Sequence, residues 1–407
     1  MKALTKRGGS FKMKLGLIPK LLIGLGLGIV VGLYAPQWLL SITETGRSVL
    51  GNLIQFFIPF IIFSFIAASI AQLKDSAGRL LSFTVGLSYV DTVIACSIAA
   101  VTSYTFIPKF VANKTFSEVT GVEIASPFVE IEFPPVMDIM SALVLAIVIG
   151  LAASWGKSKI IADVVVELKD IIDIVIQRFI IPIIPIFIFC IFAGITAKGE
   201  MSGTVVIFGK MLVLIIMLQL LWLIIEYTLA AIISKTNPLT AVRKMMPAYF
   251  TAMGTMSSAA TIPVSLRQAK TIPGMDKKIA DFVMPLCANI HSAGAALTLT
   301  ISAITVSVIT LGGLPPINLV IVFIIVLGIV LTGAAGVPGG SVLATLGILQ
   351  SILGFDEVGI GLMLALFMVQ DTLGTATNIT GDGALAIIVN KYFGKDKNNK
   401  ARAKGAV

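Results

Sequence analysis

From Leu15 onward the chain is a succession of apolar runs, most of them long enough to cross a membrane. A helix needs about 20 predominantly apolar residues to span the hydrocarbon. Candidate spans are Leu15–Tyr34, Val49–Leu73, Leu80–Tyr104, Met140–Trp155, Ile171–Ala197, Val205–Ile233, Ile279–Leu311, Leu319–Leu331 and Val358–Val389. Of the 407 residues, 57% are hydrophobic and only 13% are charged. A soluble domain carries about 25% charged residues, so this chain cannot clothe a water-exposed surface in polar groups. The pattern excludes a soluble globule, a disordered chain and a fibre. It predicts an all-α polytopic membrane protein.

The net charge of +9 is concentrated at the two ends. Lys2, Lys6, Arg7, Lys12, Lys14 and Lys20 precede or open the first span, and Lys391, Lys395, Lys397, Lys400, Arg402 and Lys404 follow the last. Basic residues flanking apolar spans mark cytoplasmic ends, so both termini are expected inside a plasma membrane crossed an even number of times, and no nucleic-acid partner is expected. Leu15–Ala35 lacks a small-residue cleavage site and more spans follow it, so it reads as a first helix and not as a signal peptide. Cys96, Cys190 and Cys287 show no paired spacing and read as small core residues. A single His excludes a multi-histidine metal site. The polar stretch Pro108–Asp138 reads as an extramembrane excursion or an irregular partial span, with a chance glycosylation sequon at Asn113.

Two segments are interrupted. One is broken at Thr255-Met-Ser-Ser-Ala-Ala-Thr-Ile-Pro, the other at Thr332-Gly-Ala-Ala-Gly-Val-Pro-Gly-Gly-Ser. Backbone groups freed at such breaks must be buried in protein or line a wet cavity. The pattern predicts two re-entrant hairpins whose tips meet inside the protein, although two kinked spans with small-residue interfaces fit the same residues. Paired interruptions of this kind point to a transporter's binding site.

The last span carries Asp371, Thr375, Asn378 and Asp382, spaced by four, three and four residues. That spacing places all four on one helical face. An ionised Asp near mid-membrane costs at least roughly 2.5–3.5 kcal/mol on the insertion scale, and this span holds no internal Lys or Arg. A substrate ammonium or a metal cation fits the gap; a generic aqueous cavity is the plainer reading. Ser257 and Ser258 sit at the first break, where a half-helix N-terminus attracts a carboxylate. A zwitterionic amino acid with Na⁺ satisfies the whole set.

These motifs resemble the dicarboxylate/amino acid:cation symporters, which include the glutamate transporter homologues. The likeness covers nearly the whole chain. It rests on Ser257-Ser-Ala-Ala-Thr-Ile-Pro, Gly336-Val-Pro-Gly-Gly and Asp371-x3-Thr-x2-Asn-x3-Asp, in that order. The resemblance implies eight transmembrane helices, two re-entrant hairpins and a homotrimeric elevator. It implies a scaffold of spans one and two in residues 1–75 and of spans four and five, with the polar excursion, in 107–200. The moving domain comprises span three in 76–106, and span six, both hairpins, spans seven and eight and the basic tail in 201–407. It places the substrate against Ser257, Ser258, Val337, Gly339, Asp371, Gly374, Thr375 and Asn378, with the ammonium on Asp371. It places sodium at Cys287, Asn289, His291, Leu331, Thr332, Ala334, Asn378 and Asp382, several through backbone carbonyls. No organic cofactor is implied.

Three departures from the family pattern bear on the substrate. Acidic-substrate members carry Arg where this chain has Gly374, so the cation suited to a second carboxylate is missing. Where those members read Asn-Met-Asp-Gly-Thr, this chain reads His291-Ser-Ala-Gly-Ala. Ala293 removes a sodium carboxylate and Ala295 a hydroxyl near the substrate side chain, a pattern similar to the serine/threonine symporter branch. His291 replaces an Asn ligand. A lone His in an apolar span is most often a packing residue, but Asp91, in a neighbouring span, is a candidate partner, and the two form a possible proton or cation pair.

The expected function is secondary active uptake, in a lipid bilayer, of a small neutral amino acid such as serine, threonine or alanine with Na⁺. The second reading is an acidic amino acid or dicarboxylate symporter, coupled to H⁺ through Asp91 and His291. A channel would line several spans with polar residues from end to end, and an intramembrane hydrolase would need a positioned base for Ser258. Neither pattern is present, so no enzyme activity is expected.

Overall fold

The computed structural model describes residues 16–72, 78–111, 126–155, 159–199, 201–334 and 336–394. The basic residues before Gly16 and after Gly394, and the sequon at Asn113, lie outside the described residues. In chain order the elements are α1 (Leu17–Tyr34), α2 (Gln37–Gln72), α3 (Gly78–Val111), α4 (Ile139–Trp155), α5 (Lys159–Val175), a π turn (Ile176–Ile180) and α6 (Ile181–Ala197). They continue as α7 (Met201–Ser234), α8 (Pro238–Thr255), α9 (Ser258–Ala269), α10 (Lys277–Ile290), α11 (Ala293–Thr310), α12 (Ile317–Gly333), α13 (Gly340–Leu353) and α14 (Glu357–Phe393). Among the described residues there is no strand. Among the described residues, seven helical stretches are long and apolar enough to cross a membrane: α1, α2, α3, α5 continued by α6, α7, α10 continued by α11, and α14. The apolar helices α4, α12 and α13 are shorter.

Several boundaries differ from the sequence expectation. α2 begins at Gln37 rather than Val49, because its polar first turns satisfy themselves. Thr43 and Thr45 donate back to the carbonyls of Leu40 and Ser41, and Arg47 pairs with Glu44. Arg47 also reaches Glu357 of α14 at 2.7 Å. α3 continues through Pro108 to Val111, so the polar excursion starts later than expected. Residues 126–138 are irregular and lie along α2, with Asn52 Nδ2 donating to the Ile131 carbonyl and the Phe128 amide donating to Thr45 Oγ1.

The expected continuous span Ile279–Leu311 is not continuous. It breaks at His291 and Ser292, between α10 and α11. The break is stable because its freed groups have partners elsewhere in the fold, as described below.

The helices sort into two groups of neighbours. α1 packs along α6, and α2 packs along α4, α5 and α6. α14 is surrounded by α7, α8, α10 and α11, and α3 lies against α11 and α12. α11 is buried all round from Ala293 to Val308, which accounts for its lack of an amphipathic stripe. α8 pairs with α9, and α12 with α13, as two helical hairpins.

The α1–α6 contact rests on glycines that the sequence reading passed over. Gly24, Gly28 and Gly32 recur every four residues on one face of α1. A Cβ at each would lie 2.4, 2.5 and 2.5 Å from the carbonyl oxygens of Pro185, Phe189 and Ala193. Small residues at this spacing let helix backbones meet where lipid offers no hydrophobic drive for association. Gly26 points elsewhere and has nothing within 4 Å. Gly28→Leu should therefore destabilise the protein by about 1–3 kcal/mol, the range for overpacking. The check is thermal unfolding of the purified protein in detergent, with Gly26→Leu as the control that leaves the midpoint in place.

Candidate functional site

The centre of the second helix group is a set of broken helices. α8 ends at Met256, which adopts a left-handed conformation with φ 50°. Ser257 then restarts the chain as α9, its side chain accepting from the Ala260 amide. The same hydroxyl donates to the Gly336 carbonyl at 2.6 Å, and the Ala259 amide donates to that carbonyl at 3.4 Å. The two hairpin tips thus meet, as the sequence predicted. Gly339 turns the second tip with φ +74°, a conformation that favours glycine, and a Cβ there would lie 2.2 Å from Met368 Cε.

The polar face of α14 lies under both tips. Asp371 Oδ2 accepts from the Gly339 amide at 2.7 Å, and Thr375 Oγ1 donates to Asp371 Oδ1 at 3.3 Å. Asn378 Oδ1 accepts from the amides of Gly294 and Ala295 at 2.8 and 3.2 Å. These amides belong to the first turn of α11, where helical N–H groups have no partner of their own. Asn378 therefore caps the half-helix that begins after the His291 break. Both lone pairs of its side-chain oxygen are occupied, so its side chain has only the NH2 group left to offer a ligand, and the expected sodium contact at Asn378 would fall to its main-chain carbonyl.

A cavity of about 20 Å³ sits at this junction, lined by Ser258, Asn289, Ser292, Ala334, Val337, Ser341, Asp371, Thr375 and Asn378 among others. It has room for about one water molecule. No Lys or Arg lines it, and Asp371 is its one charged residue.

Of the other expected site residues, Ser257, Gly374, Cys287, Leu331 and Thr332 do not line the cavity. Ser257 is spent on capping and on bridging the hairpins. Gly374 faces α11 and α7: a Cβ there would lie 3.7 Å from the Ala295 amide and from Gln219 Nε2. The close crossing of α14 and α11 here depends on Gly294, where a Cβ would come 2.5 Å from the Gly374 carbonyl. The Cys287 carbonyl accepts from the His291 amide, and the Cys287 thiol lies 3.8 Å from Ser88 Oγ. Asn289 donates to the Pro285 carbonyl, the Leu331 carbonyl accepts from the Ala334 amide, and Thr332 donates to the Ile329 carbonyl.

Beside the cavity, the imidazole of His291 is held at both ends. Nδ1 is 2.9 Å from Asp382 Oδ1, and Nε2 is 2.9 Å from Asp91 Oδ2. The pairing of Asp91 with His291 was expected; the engagement of Asp382 was not. Trp222 Nε1 donates to Asp91 Oδ2 at 3.4 Å. Glu226 Oε1 lies 3.6 Å from His291 Nε2, with the Glu226 and Asp91 carboxyl groups side by side, and Asp382 Oδ2 has no hydrogen-bond partner. Glu226 and Trp222 lie inside the apolar run of α7, where a single Glu was the only available signal.

The family model for the sodium:dicarboxylate symporters matches residues 17–392. A serine/threonine transporter, SstT, of Enterococcus faecalis is 29% identical over 398 residues, covering 91% of this chain and 90% of the relative. SstT of Streptococcus agalactiae is 28% identical over 403 residues, covering 94% and 98%. An excitatory amino acid transporter of Caenorhabditis elegans is 27% identical over 297 residues, covering 71% and 58%. The relatives are transporters and not enzymes. A multi-pass helical chain with broken helices around a buried carboxylate agrees with that match, and the chain belongs to the sodium:dicarboxylate symporter family.

Proposed function

We propose that this amino acid symporter takes up a small neutral amino acid, serine or threonine first among them, together with Na⁺. The observation that carries the reading is the cation-free cavity with Asp371 as its one charged residue. Asp371 is suited to an ammonium. The Asn378 amide and the Ser258 hydroxyl are suited to one carboxylate. A substrate with a second carboxylate would find no Lys or Arg to pair with it, and its burial there would be costly. The serine/threonine transporters among the relatives favour the same reading.

The cavity is far smaller than an amino acid, so entry requires movement of a wall. The Val337–Gly339 tip is the segment that closes on Asp371 through the Gly339 amide. A substrate ammonium competes with that amide for Asp371 Oδ2, so binding and the position of the second hairpin are coupled. Asp382, with one oxygen free of hydrogen bonds, and the carbonyls around Leu331–Ala334 are the groups to hold Na⁺. Sodium supplies positive charge that offsets the buried carboxylate and favours the closed tip.

The grouping of α3 with α7 to α14, apart from α1, α2 and α4 to α6, suits an elevator in which the first set moves against the second. A homotrimer built on that second set, with eight spans, two re-entrant hairpins and both ends cytoplasmic, completes the proposal.

Labelled serine in proteoliposomes should accumulate under an inward Na⁺ gradient. Threonine and alanine should compete, and aspartate and succinate should not. Accumulation under a proton gradient alone, or block by succinate, would favour the acidic or dicarboxylate reading. Asp371→Asn should reduce serine uptake at least 100-fold while leaving the chromatographic profile of the purified protein intact. Wild-type affinity in that variant would remove the ammonium role.

A further inference from the structure

Between Met211 and Ile225, only Gln219 and Trp222 carry an N–H or O–H on the side chain. Gln219 lies within the long apolar helix α7 and is 2% exposed. A buried amide without partners is costly, and this one has two. Its Nε2 donates to Thr298 Oγ1 at 2.9 Å and to the Gly294 carbonyl at 3.3 Å. Thr298 Oγ1 donates to the same carbonyl at 3.0 Å. A carbonyl can only accept, so the NH2 end of Gln219 is the end that faces α11.

Gly294 lies in the first turn of α11, the half-helix that starts after the His291–Ser292 break. That turn has little local support. Ser292, at the cap position, makes no capping hydrogen bond with its side chain. Gly294 has no side chain to anchor it, and glycine loses more backbone freedom in a helix than any other residue. The turn is held from outside instead. Asn378 of α14 accepts from the Gly294 amide at 2.8 Å and the Ala295 amide at 3.2 Å. Gln219 of α7 donates to the carbonyl of that same Gly294. The Asn378 side-chain amide is planar, so once its oxygen is fixed on this turn, the direction of its NH2 group follows. We propose that Gln219 is a positioning residue for the substrate: it holds the first turn of α11 where Asn378 aims its NH2 group at the substrate carboxylate. Gln219 does not line the cavity, so it acts through Asn378 and not by contact. The inference rests on the reading of Asn378 as a carboxylate ligand.

Gln219→Met keeps the length of the side chain and removes its donor. Labelled serine uptake into proteoliposomes is measured under an inward Na⁺ gradient, with serinol as competitor. Serinol has the ammonium and hydroxyl of serine but no carboxylate. Losing one interhelical hydrogen bond of this kind should raise the serine KM about three- to tenfold. The maximal rate should change little, and serinol should compete as it does in the parent. Thr298→Val removes the hydroxyl that shares the Gln219 NH2 group. It should shift KM in the same direction, and it stands in if Gln219→Met does not fold. Three results overturn the positioning role: parental serine KM in the folded variants, a fall in maximal rate with KM unchanged, or an equal loss of serine and serinol, which marks a general loosening of the site. If serinol competes as well as serine in the parent, the carboxylate role of Asn378 falls first and takes this inference with it.

Discussion

Where a helix breaks inside an apolar layer, its freed amides and carbonyls have no water to turn to and must find partners in the protein. Three breaks converge in this fold, at Met256–Ser257, at Ala334–Gly339 and at His291–Ser292. Each is held by a side chain from the motif-bearing segments. Ser257 ties the first tip to the Gly336 carbonyl. Asp371 receives the Gly339 amide of the second. Asn378 caps the half-helix of the third. The packing of α14 at the middle of its group follows, because its polar face holds two of these breaks directly and the first is tied to the second tip.

This arrangement ties binding to conformation. Asp371 is at once the group that fixes the second tip and the group suited to an ammonium. On the proposed reading, a ligand ammonium at Asp371 competes with the Gly339 amide that holds the tip. Function of this kind needs no additional moving part. It needs only that polar groups which hold irregular backbone in place be the same groups that a substrate addresses. At His291 the same economy holds: two carboxylates fix the ring from both sides, and the Glu226 carboxyl packs against the pair.

Much of this was legible in the residues. The four-three-four spacing on the last helix placed Asp371, Thr375, Asn378 and Asp382 on one face. The Gly, Ser and Pro clusters located two of the three breaks. The third break was not legible, because Ile279–Leu311 is long and apolar enough on average to read as one span, and no Pro or Gly sits at the His291–Ser292 junction itself. Its partner, Asn378, lies 84 residues away. Gly374 read as a missing charge at the substrate, whereas the packed helices show that Gly294 is the residue that lets α11 cross close to α14 at the Gly374 carbonyl.

The sequence by itself determined the solvent, the helical class, the hairpin breaks and the polar face of α14. These are local properties, expressed in hydropathy, in glycine and proline placement, and in the 3.6-residue period. Only the tertiary structure decided that Asn378 spends its oxygen on a helix cap, that His291 bridges Asp91 and Asp382, and that Glu226 joins them from a different helix. Such meetings depend on how the helices cross and on which buried polar atoms are left to be satisfied, and neither is encoded in any single stretch of chain.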